Sequence, residues 1–222
     1  MTRAHPIRVL LVDDHRLVRA GVRGLLRDVP DIEVVGEAAS GEEACRIAPD
    51  LDPQVIVMDI SLPGVTGIET IGRLLRILPE TNVLVLTMHE LEPYTRMALE
   101  RGARGYLSKR SAPQELITAI RAVAAGAPYI ESTLVESMMA SGDAEADLDE
   151  LGRLDPRDFE IFSLLARGRT VKEIAEILHL SPKTVHSHRA NLLQKLAVQS
   201  TAELAQLAAR LGVIDPYGES GV

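Results

Sequence analysis

Five polar residues in the first half of the sequence follow short apolar runs, and together they suit one kind of chemistry. Asp13 and Asp14 end the first run, Asp59 ends the third, Thr87 ends the fourth, and Lys109 follows the fifth. Crowded carboxylates repel one another, and Mg²⁺ binds a few carboxylates together with phosphate oxygens and water. A carboxylate can accept a phosphoryl group, whose charge a metal, a lysine and a hydroxyl would stabilise. The set predicts a Mg²⁺-dependent phosphoryl site.

These residues meet only if the apolar runs are neighbouring strands of one sheet. The runs are short and nearly continuous, as in parallel strands buried on both faces. They cover residues 7–12, 32–36, 55–58, 83–87 and 105–107. Segments with helical spacing alternate with them, and Ser40 with Glu43 predicts a capped second helix. We predict a doubly wound α/β fold for residues 1–128, with a five-stranded parallel sheet and five helices on its two faces.

Ligands of such sheets lie beyond the carboxyl ends of the strands. A single aspartate after a strand is more often a helix cap than a ligand. Five chemically matched positions at strand ends favour a shared site over five unrelated caps.

The chain changes character after Gly126. Residues 129–153 carry one basic residue against seven acidic ones, and we interpret them as an acidic linker. Residues 154–214 have no strand pattern and contain four helix starts, at Asp155-Pro156, Thr170, Ser181-Pro182 and Ser200. We predict a small all-α domain of four helices, followed by a tail over residues 215–222.

A local basic face lies within this otherwise acidic protein of net charge −8. No Asp or Glu occurs between Glu176 and Glu203, whereas Lys183, Arg189, Lys195 and three histidines do. Such a face favours a polyanionic partner. From charge alone, an ordinary solvated helix face is an equally good interpretation.

Composition excludes several classes of protein. The chain is 46% hydrophobic and 25% charged, which is typical of globular proteins. Its apolar runs are far shorter than the ~20 residues of a membrane span, and its start lacks the pattern of a signal peptide. Cys45 is the single cysteine, so we expect no internal disulfide and a cytoplasmic location. The 3% aromatic content argues against a platform for stacking sugars or bases.

The segments VLLVDDH, VMDISLPGVTG, VLTMH and GARGYLSK are similar to the hallmarks of bacterial response-regulator receiver domains. The resemblance implies a flavodoxin-like receiver domain whose Asp59 is phosphorylated by a sensor histidine kinase. It further implies Mg²⁺ ligands and switch residues. The implied metal ligands are Asp13, Asp14, Asp59 and the Ser61 carbonyl, and the implied phosphate-contacting or switch residues are Thr87, Lys109 and Tyr106. From spacing alone, Tyr106 is better interpreted as plain packing.

The segment KEIAEILHLSPKTVHSHRANLLQKL has the pattern helix, short turn, helix. Over residues 153–214 the chain resembles the helix-turn-helix domain of NarL/FixJ (LuxR-type) regulators. Asp155 stands where the family usually has threonine, and both residues cap helices. The resemblance implies two groups of DNA-binding residues. His186, Ser187 and Ala190 would face the major groove, and Lys183, Thr184, His188, Arg189 and Lys195 would reach the backbone or orient the helix. A helical protein-interaction module is the alternative.

Together these features predict a transcriptional response regulator. Phosphorylation of Asp59 would promote a homodimer that binds double-stranded promoter DNA, with RNA polymerase as a further candidate partner and no membrane contact. We expect no enzymatic activity beyond the receiver's own phosphotransfer and slow autodephosphorylation. One rival is a Mg²⁺-dependent phosphatase, which requires an acid-base carboxylate two residues after the nucleophile, where Ser61 stands. The other rival is a protein-binding adaptor.

Overall fold

The computed structural model describes residues 5–63, 65–88, 92–132, 134–135, 154, 156–210 and 213–214. The chain divides into two compact units, residues 1–139 and residues 140–222. Among the helices of these described residues, none is both long enough and apolar enough to span a bilayer.

The first unit is one parallel sheet with helices on both faces, which confirms the predicted fold class. Its strands are β1 Ile7–Val12, β2 Ile32–Ala38, β3 Val55–Met58, β4 Asn82–Thr87, β5 Gly105–Ser108 and β6 Tyr129–Ile130, and its helices are α1 Arg16–Arg27, α2 Gly41–Leu51, α3 Gly67–Ile77, α4 Glu92–Glu100 and α5 Pro113–Ala124. The strand order is β2-β1-β3-β4-β5-β6, and every neighbouring pair is parallel.

Alternate residues of the central strands supply two separate apolar layers. One face forms a cluster with α1 and α5, in which Leu11 of β1, Val57 of β3 and Leu107 of β5 are buried. Leu10 and Met58, which point to the opposite face, are fully buried as well. Because both faces are covered, the strands consist of nearly continuous apolar runs in the sequence.

Within the described part of the chain the sheet has six strands, so the predicted number of five was wrong. β6 pairs with β5, with Tyr129 opposite Gly105 and Ile130 opposite Tyr106. The sheet therefore extends two residues into the segment that the sequence predicts to be a linker from residue 129. A strand of two half-buried residues at a sheet edge is too short to give a periodic pattern.

The described residues of the second unit form four helices, as predicted: α6 Pro156–Ala166, α7 Val171–Ile177, α8 Pro182–Lys195 and α9 Thr201–Arg210. The Thr170 hydroxyl and the Glu173 carboxylate form a reciprocal capping box at α7. The Ser181 hydroxyl accepts from the Thr184 amide at α8, and the Ser200 hydroxyl accepts from the Glu203 amide at α9. Phe159 and Phe162 of α6 are fully buried.

Several predictions fall outside the described residues. They are the helix cap at Asp155, the tail over residues 215–222, and most of the acidic linker over residues 129–153, including all of residues 136–153.

Candidate functional site

The carboxyl ends of the central strands bring the predicted site residues of the first unit together. The Asp59 amide donates to the Val12 carbonyl at 2.8 Å, which places Asp59 directly beside the end of β1. The Lys109 amide donates to the Thr87 carbonyl at 2.7 Å and continues the ladder between β4 and β5. Residues that follow the strands are thus fixed by sheet hydrogen bonds, and their side chains gather at one edge.

Lys109 bridges two aspartates at this edge. Its Nζ atom lies 2.6 Å from Asp59 Oδ2 and 2.7 Å from Asp13 Oδ2. Burial lowers the pKa of Lys109, but the charge of Asp59 and hydrogen bonds to both carboxylates outweigh this effect and hold its pKa above the ordinary value. Lys109 therefore remains a cation directly beside the Asp59 carboxylate.

The same edge carries a group of oxygen donors suited to Mg²⁺. Ligand atoms of Asp13, Asp14, His15 and Asp59 all lie within 4.8 Å of one another. Among the described residues, Asp14 Oδ1 is a buried atom without a hydrogen-bond partner, although the His15 ring nitrogen lies 2.8 Å away. Mg²⁺ prefers oxygen ligands, and imidazole suits softer metals. The three carboxylates therefore fit Mg²⁺, with His15 beside the group.

Ser61 lies next to the phosphoacceptor candidate. Its amide donates to Asp59 Oδ1 at 3.2 Å, so the two oxygens of this carboxylate have different partners, Ser61 on one side and Lys109 on the other. This contact orients the carboxylate. Metal ligation by the Ser61 carbonyl stays a prediction.

Thr87 and Tyr106 lie on one face of the sheet. Their chain neighbours Leu86 and Leu107 belong to the cluster under α1 and α5, so Thr87 and Tyr106 point to the opposite side. Both are completely buried. The geometry is compatible with a switch pair and equally with packing, and the switch role of Tyr106 stays a prediction.

In the second unit, α8 presents different residues on its two faces. Val185, Leu192 and Leu196 are buried in the domain core. The opposite face is exposed and carries small, polar and basic residues. This surface is formed by Lys183, His186, Ser187, Ala190 and Gln194.

Between these faces, α8 is attached to the neighbouring helices by polar contacts. Asp158 of α6 accepts from His188 Nδ1 at 2.7 Å and also binds the Lys195 ammonium. Burial raises the pKa of Asp158, but the bonds from Lys195 and His188 outweigh this and hold its pKa below the usual range. Arg189 Nε donates to the Thr201 hydroxyl at 3.1 Å. His188, Arg189 and Lys195 thus have partners inside the domain.

Comparison with known proteins assigns both units. The family described as "Response regulator receiver domain" matches residues 9–121, and "Bacterial regulatory proteins, luxR family" matches residues 153–208. The response regulator UvrY of Escherichia coli (strain K12) is 41% identical over 208 residues, which cover 93% of this chain and 95% of UvrY. The chain belongs to the DNA-binding LuxR family of response regulators. The response regulator GacA of Pseudomonas aeruginosa is 37% identical over 210 residues, which cover 94% of this chain and 98% of GacA.

Solved structures of the response regulator RcsB are similar to this chain over most of its length. A structure of RcsB from Salmonella typhimurium has a TM-score of 0.66 and 29% identity, and the match covers 94% of this chain and 99% of RcsB. The RcsB–DNA complex has a TM-score of 0.58, also at 29% identity, with 92% of this chain and 98% of RcsB covered.

Sequence reasoning missed two residues that position the sites of this LuxR-family regulator. A Cβ atom on Gly67, the first residue of α3, would lie 2.1 Å from the Asp59 carbonyl oxygen and 2.5 Å from Ile60 Cα. Only glycine lets α3 approach the Asp59 backbone so closely. The second residue is Asp158, in the first turn of α6. Gly67 stands in the quoted receiver segment, but no pattern links Asp158 to α8.

Proposed function

We propose that a sensor histidine kinase phosphorylates Asp59 and that this modification controls DNA binding by the helical domain. The observation that carries the proposal is the Asp59 carboxylate, nearly fully buried and 2.6 Å from the Lys109 ammonium within a group of three aspartates. A buried carboxylate among like charges is tolerated where cations compensate it. Lys109 supplies one cation, and Mg²⁺ held by Asp13, Asp14 and Asp59 would supply the other.

The reaction needs an oriented nucleophile and compensated charge. An Asp59 oxygen forms a bond to phosphorus, while the bond between phosphorus and the kinase's histidine nitrogen breaks and the nitrogen leaves with the electron pair. The Ser61 amide fixes the carboxylate, and Lys109 moves from Asp59 Oδ2 to a phosphoryl oxygen. The Thr87 hydroxyl donates to another oxygen. Mg²⁺ held by Asp13, Asp14 and Asp59 would neutralise negative charge on the transferring group.

Loss of the phosphoryl group by hydrolysis is expected to be slow in this proposal. A dedicated phosphatase would place a carboxylate two residues after the nucleophile to activate a water molecule. Ser61 occupies that position and contributes its amide to Asp59 instead. We therefore propose a regulator rather than an enzyme that acts on other substrates.

The proposed DNA surface is the exposed face of α8. His186, Ser187 and Ala190 would contact base edges in the major groove of double-stranded promoter DNA, while Lys183 and Thr184 at the start of α8 would lie near a phosphate. The RcsB–DNA complex supports this use of the domain. His188 and Lys195 would act by orienting α8, and Arg189 would do so through Thr201 while its remaining N–H groups reach a phosphate.

Phosphorylation would act by promoting a homodimer in the cytoplasm, with two helical domains on one two-fold site. The structure of two RcsB dimers bound to two parallel DNAs supports a dimeric DNA complex. RNA polymerase would be contacted at the promoter. An adaptor that binds only protein is the competing function, and a salt titration of DNA binding distinguishes the two.

The test compares the full-length protein with Asp59→Asn. With acetyl phosphate and Mg²⁺, intact-mass measurement should detect one phosphoryl group on the wild type and none on the variant. Asp52→Asn is a matched control, because this exposed residue has a left-handed backbone that asparagine tolerates. A phosphoryl adduct of equal yield on Asp59→Asn would contradict the proposed phosphoacceptor.

A further inference from the structure

Glu131, the residue directly after β6, holds the loop that carries Lys109. One oxygen of its carboxylate, Oε2, accepts from the Ser108 amide at 3.0 Å and from the Ser111 hydroxyl at 2.9 Å. These two donors stand on either side of Lys109 in the chain. Hydrogen bonds to a charged acceptor are stronger than those between neutral groups, so the carboxylate fixes the main chain around this lysine.

The same residue begins the segment that leads out of the receiver domain. The Glu131 amide donates to the Tyr106 carbonyl at 3.2 Å. Its own carbonyl accepts from the Leu134 amide at 3.0 Å and from the Val135 amide at 3.1 Å, which forms a helical turn. The Leu134 side chain in this turn is only 3% exposed.

Glu131 thus joins the Lys109 loop to the first turn of the interdomain segment. We propose that Glu131 is a positioning residue that transmits the phosphorylation state of Asp59 to this turn. The inference rests on the phosphorylation proposed above. A phosphoryl group brings a charge of about −1.5 to −2 into contact with Lys109. Lys109 must then change partners, and its loop cannot shift without moving or breaking the two hydrogen bonds to Glu131.

Coupling of this kind is reciprocal. If phosphorylation changes the stability of the turn at residues 131–135, the state of that turn changes the stability of the phosphorylated site by the same factor. A binding event that rearranges the interdomain segment would therefore be sensed at Lys109 through Glu131.

The experiment measures backbone hydrogen exchange of the full-length protein with and without acetyl phosphate and Mg²⁺, while intact mass reports phosphorylation. In the wild type, phosphorylation should change exchange of the Leu134 and Val135 amides by at least about threefold. In Glu131→Ala, the unphosphorylated Ser108 amide should exchange at least about tenfold faster, because its charged acceptor is gone. Phosphorylation of that variant should leave Leu134 and Val135 unchanged.

Two further variants provide a control and a second test of the contact between Glu131 and the Lys109 loop. Glu80→Ala removes an exposed carboxylate just before β4, at the amino-terminal ends of the strands, and this variant should behave as the wild type. Ser111→Ala removes one of the two donors and leaves the carboxylate. It should reduce the response of Leu134 and Val135, and it decides the matter if Glu131→Ala does not fold or is not phosphorylated.

The outcomes separate this inference from the proposed function. A wild type that is not phosphorylated at Asp59 overturns both. A wild type that is phosphorylated without any change at Leu134 and Val135 overturns only the coupling. The coupling is also overturned if Glu131→Ala or Ser111→Ala shows the full wild-type response.

Discussion

Two lysines of α8 have different surroundings, and replacing each with methionine should separate two roles in DNA binding. Lys183 is exposed in the first turn, whereas the Lys195 ammonium in the last turn binds the buried Asp158 carboxylate. Methionine retains much of the apolar stem of lysine and removes the charge. We expect Lys195→Met to destabilise the helical domain, and Lys183→Met to weaken DNA binding at unchanged stability.

The burial of the two partners sets the expected cost of Lys195→Met. Exposed ion pairs contribute at most about 1 kcal/mol, and removing one partner from a buried pair costs about 3–5 kcal/mol. The Asp158 side chain is 2% exposed and that of Lys195 is 39% exposed, so this pair lies between the two limits. Because His188 still binds Asp158, we expect a loss of roughly 2 kcal/mol, which lowers the Tm of a domain of this size by ~8–16 °C.

The salt dependence of DNA binding should change more in Lys183→Met than in Lys195→Met, which is the reverse of the expected effect on stability. Each neutralised phosphate contributes ~0.9 to the slope of log affinity against log salt concentration. Lys183→Met should therefore reduce the magnitude of the slope by about 0.9. Lys195 is already compensated by Asp158, so its replacement should change the slope by less than about 0.3.

Both quantities can be measured on the full-length protein. Calorimetry gives the Tm of the helical domain, and titration of one DNA duplex between about 50 and 200 mM salt gives the slope. Each variant serves as the control for the other. If Lys195→Met keeps the wild-type Tm and loses about 0.9 of the slope, its ammonium contacts a phosphate in the complex and the reasoning from Asp158 is refuted.

Three other predictions concern single residues. His186→Ala should change the preference among DNA sequences, as seen in a selection from randomised duplexes, and an equal loss on every sequence would contradict base contact. Gly67→Ala should cost about 1–3 kcal/mol by overpacking against the Asp59 backbone and should slow phosphorylation by acetyl phosphate, whereas Gly21→Ala, whose Cβ meets nothing within 4 Å, should not. Because the folded pKa of Asp158 is depressed, its stabilisation is present above the unfolded pKa near ~3.9 and is lost as pH falls through the folded value. The difference in Tm between the wild type and Asp158→Asn should therefore shrink in scans from pH 6 to about pH 3.

The receiver fold could be predicted because burial of both sheet faces constrains all of the central strands in the same way. A parallel sheet covered on both faces requires continuous apolar strands, and polar residues at their ends then share one edge. Asp13, Asp59 and Lys109 are far apart in the chain, yet the sheet brings the Lys109 ammonium within 2.7 Å of an oxygen of each aspartate. Strand alternation likewise predicts that Thr87 and Tyr106 share a face, although it does not say which role that face has.

The features that sequence could not predict are single contacts over long separations. Asp158 binds His188 and Lys195, which lie 30 and 37 residues away in the chain, and no periodicity marks such a pair. Glu131 binds Ser108 and Ser111 over 23 and 20 residues from a two-residue strand that gives no pattern of its own. Such contacts depend on how elements pack, whereas a periodic pattern reports only which face of an element is buried.

These internal contacts also change the number of charges that one helical domain can offer to DNA. Charge along the sequence counts Lys183, Arg189 and Lys195 alike, but the Lys195 ammonium is paired with Asp158 and one nitrogen of Arg189 is bonded to Thr201. We expect a domain with so few available cations on α8 to make few phosphate contacts and to bind DNA weakly on its own. Two domains on one site share the cost of association, and effective concentration then raises the affinity by ~10²-fold or more. The pairing inside the domain thus supports the proposed regulation through dimerisation, which requires that one copy alone binds DNA with low affinity.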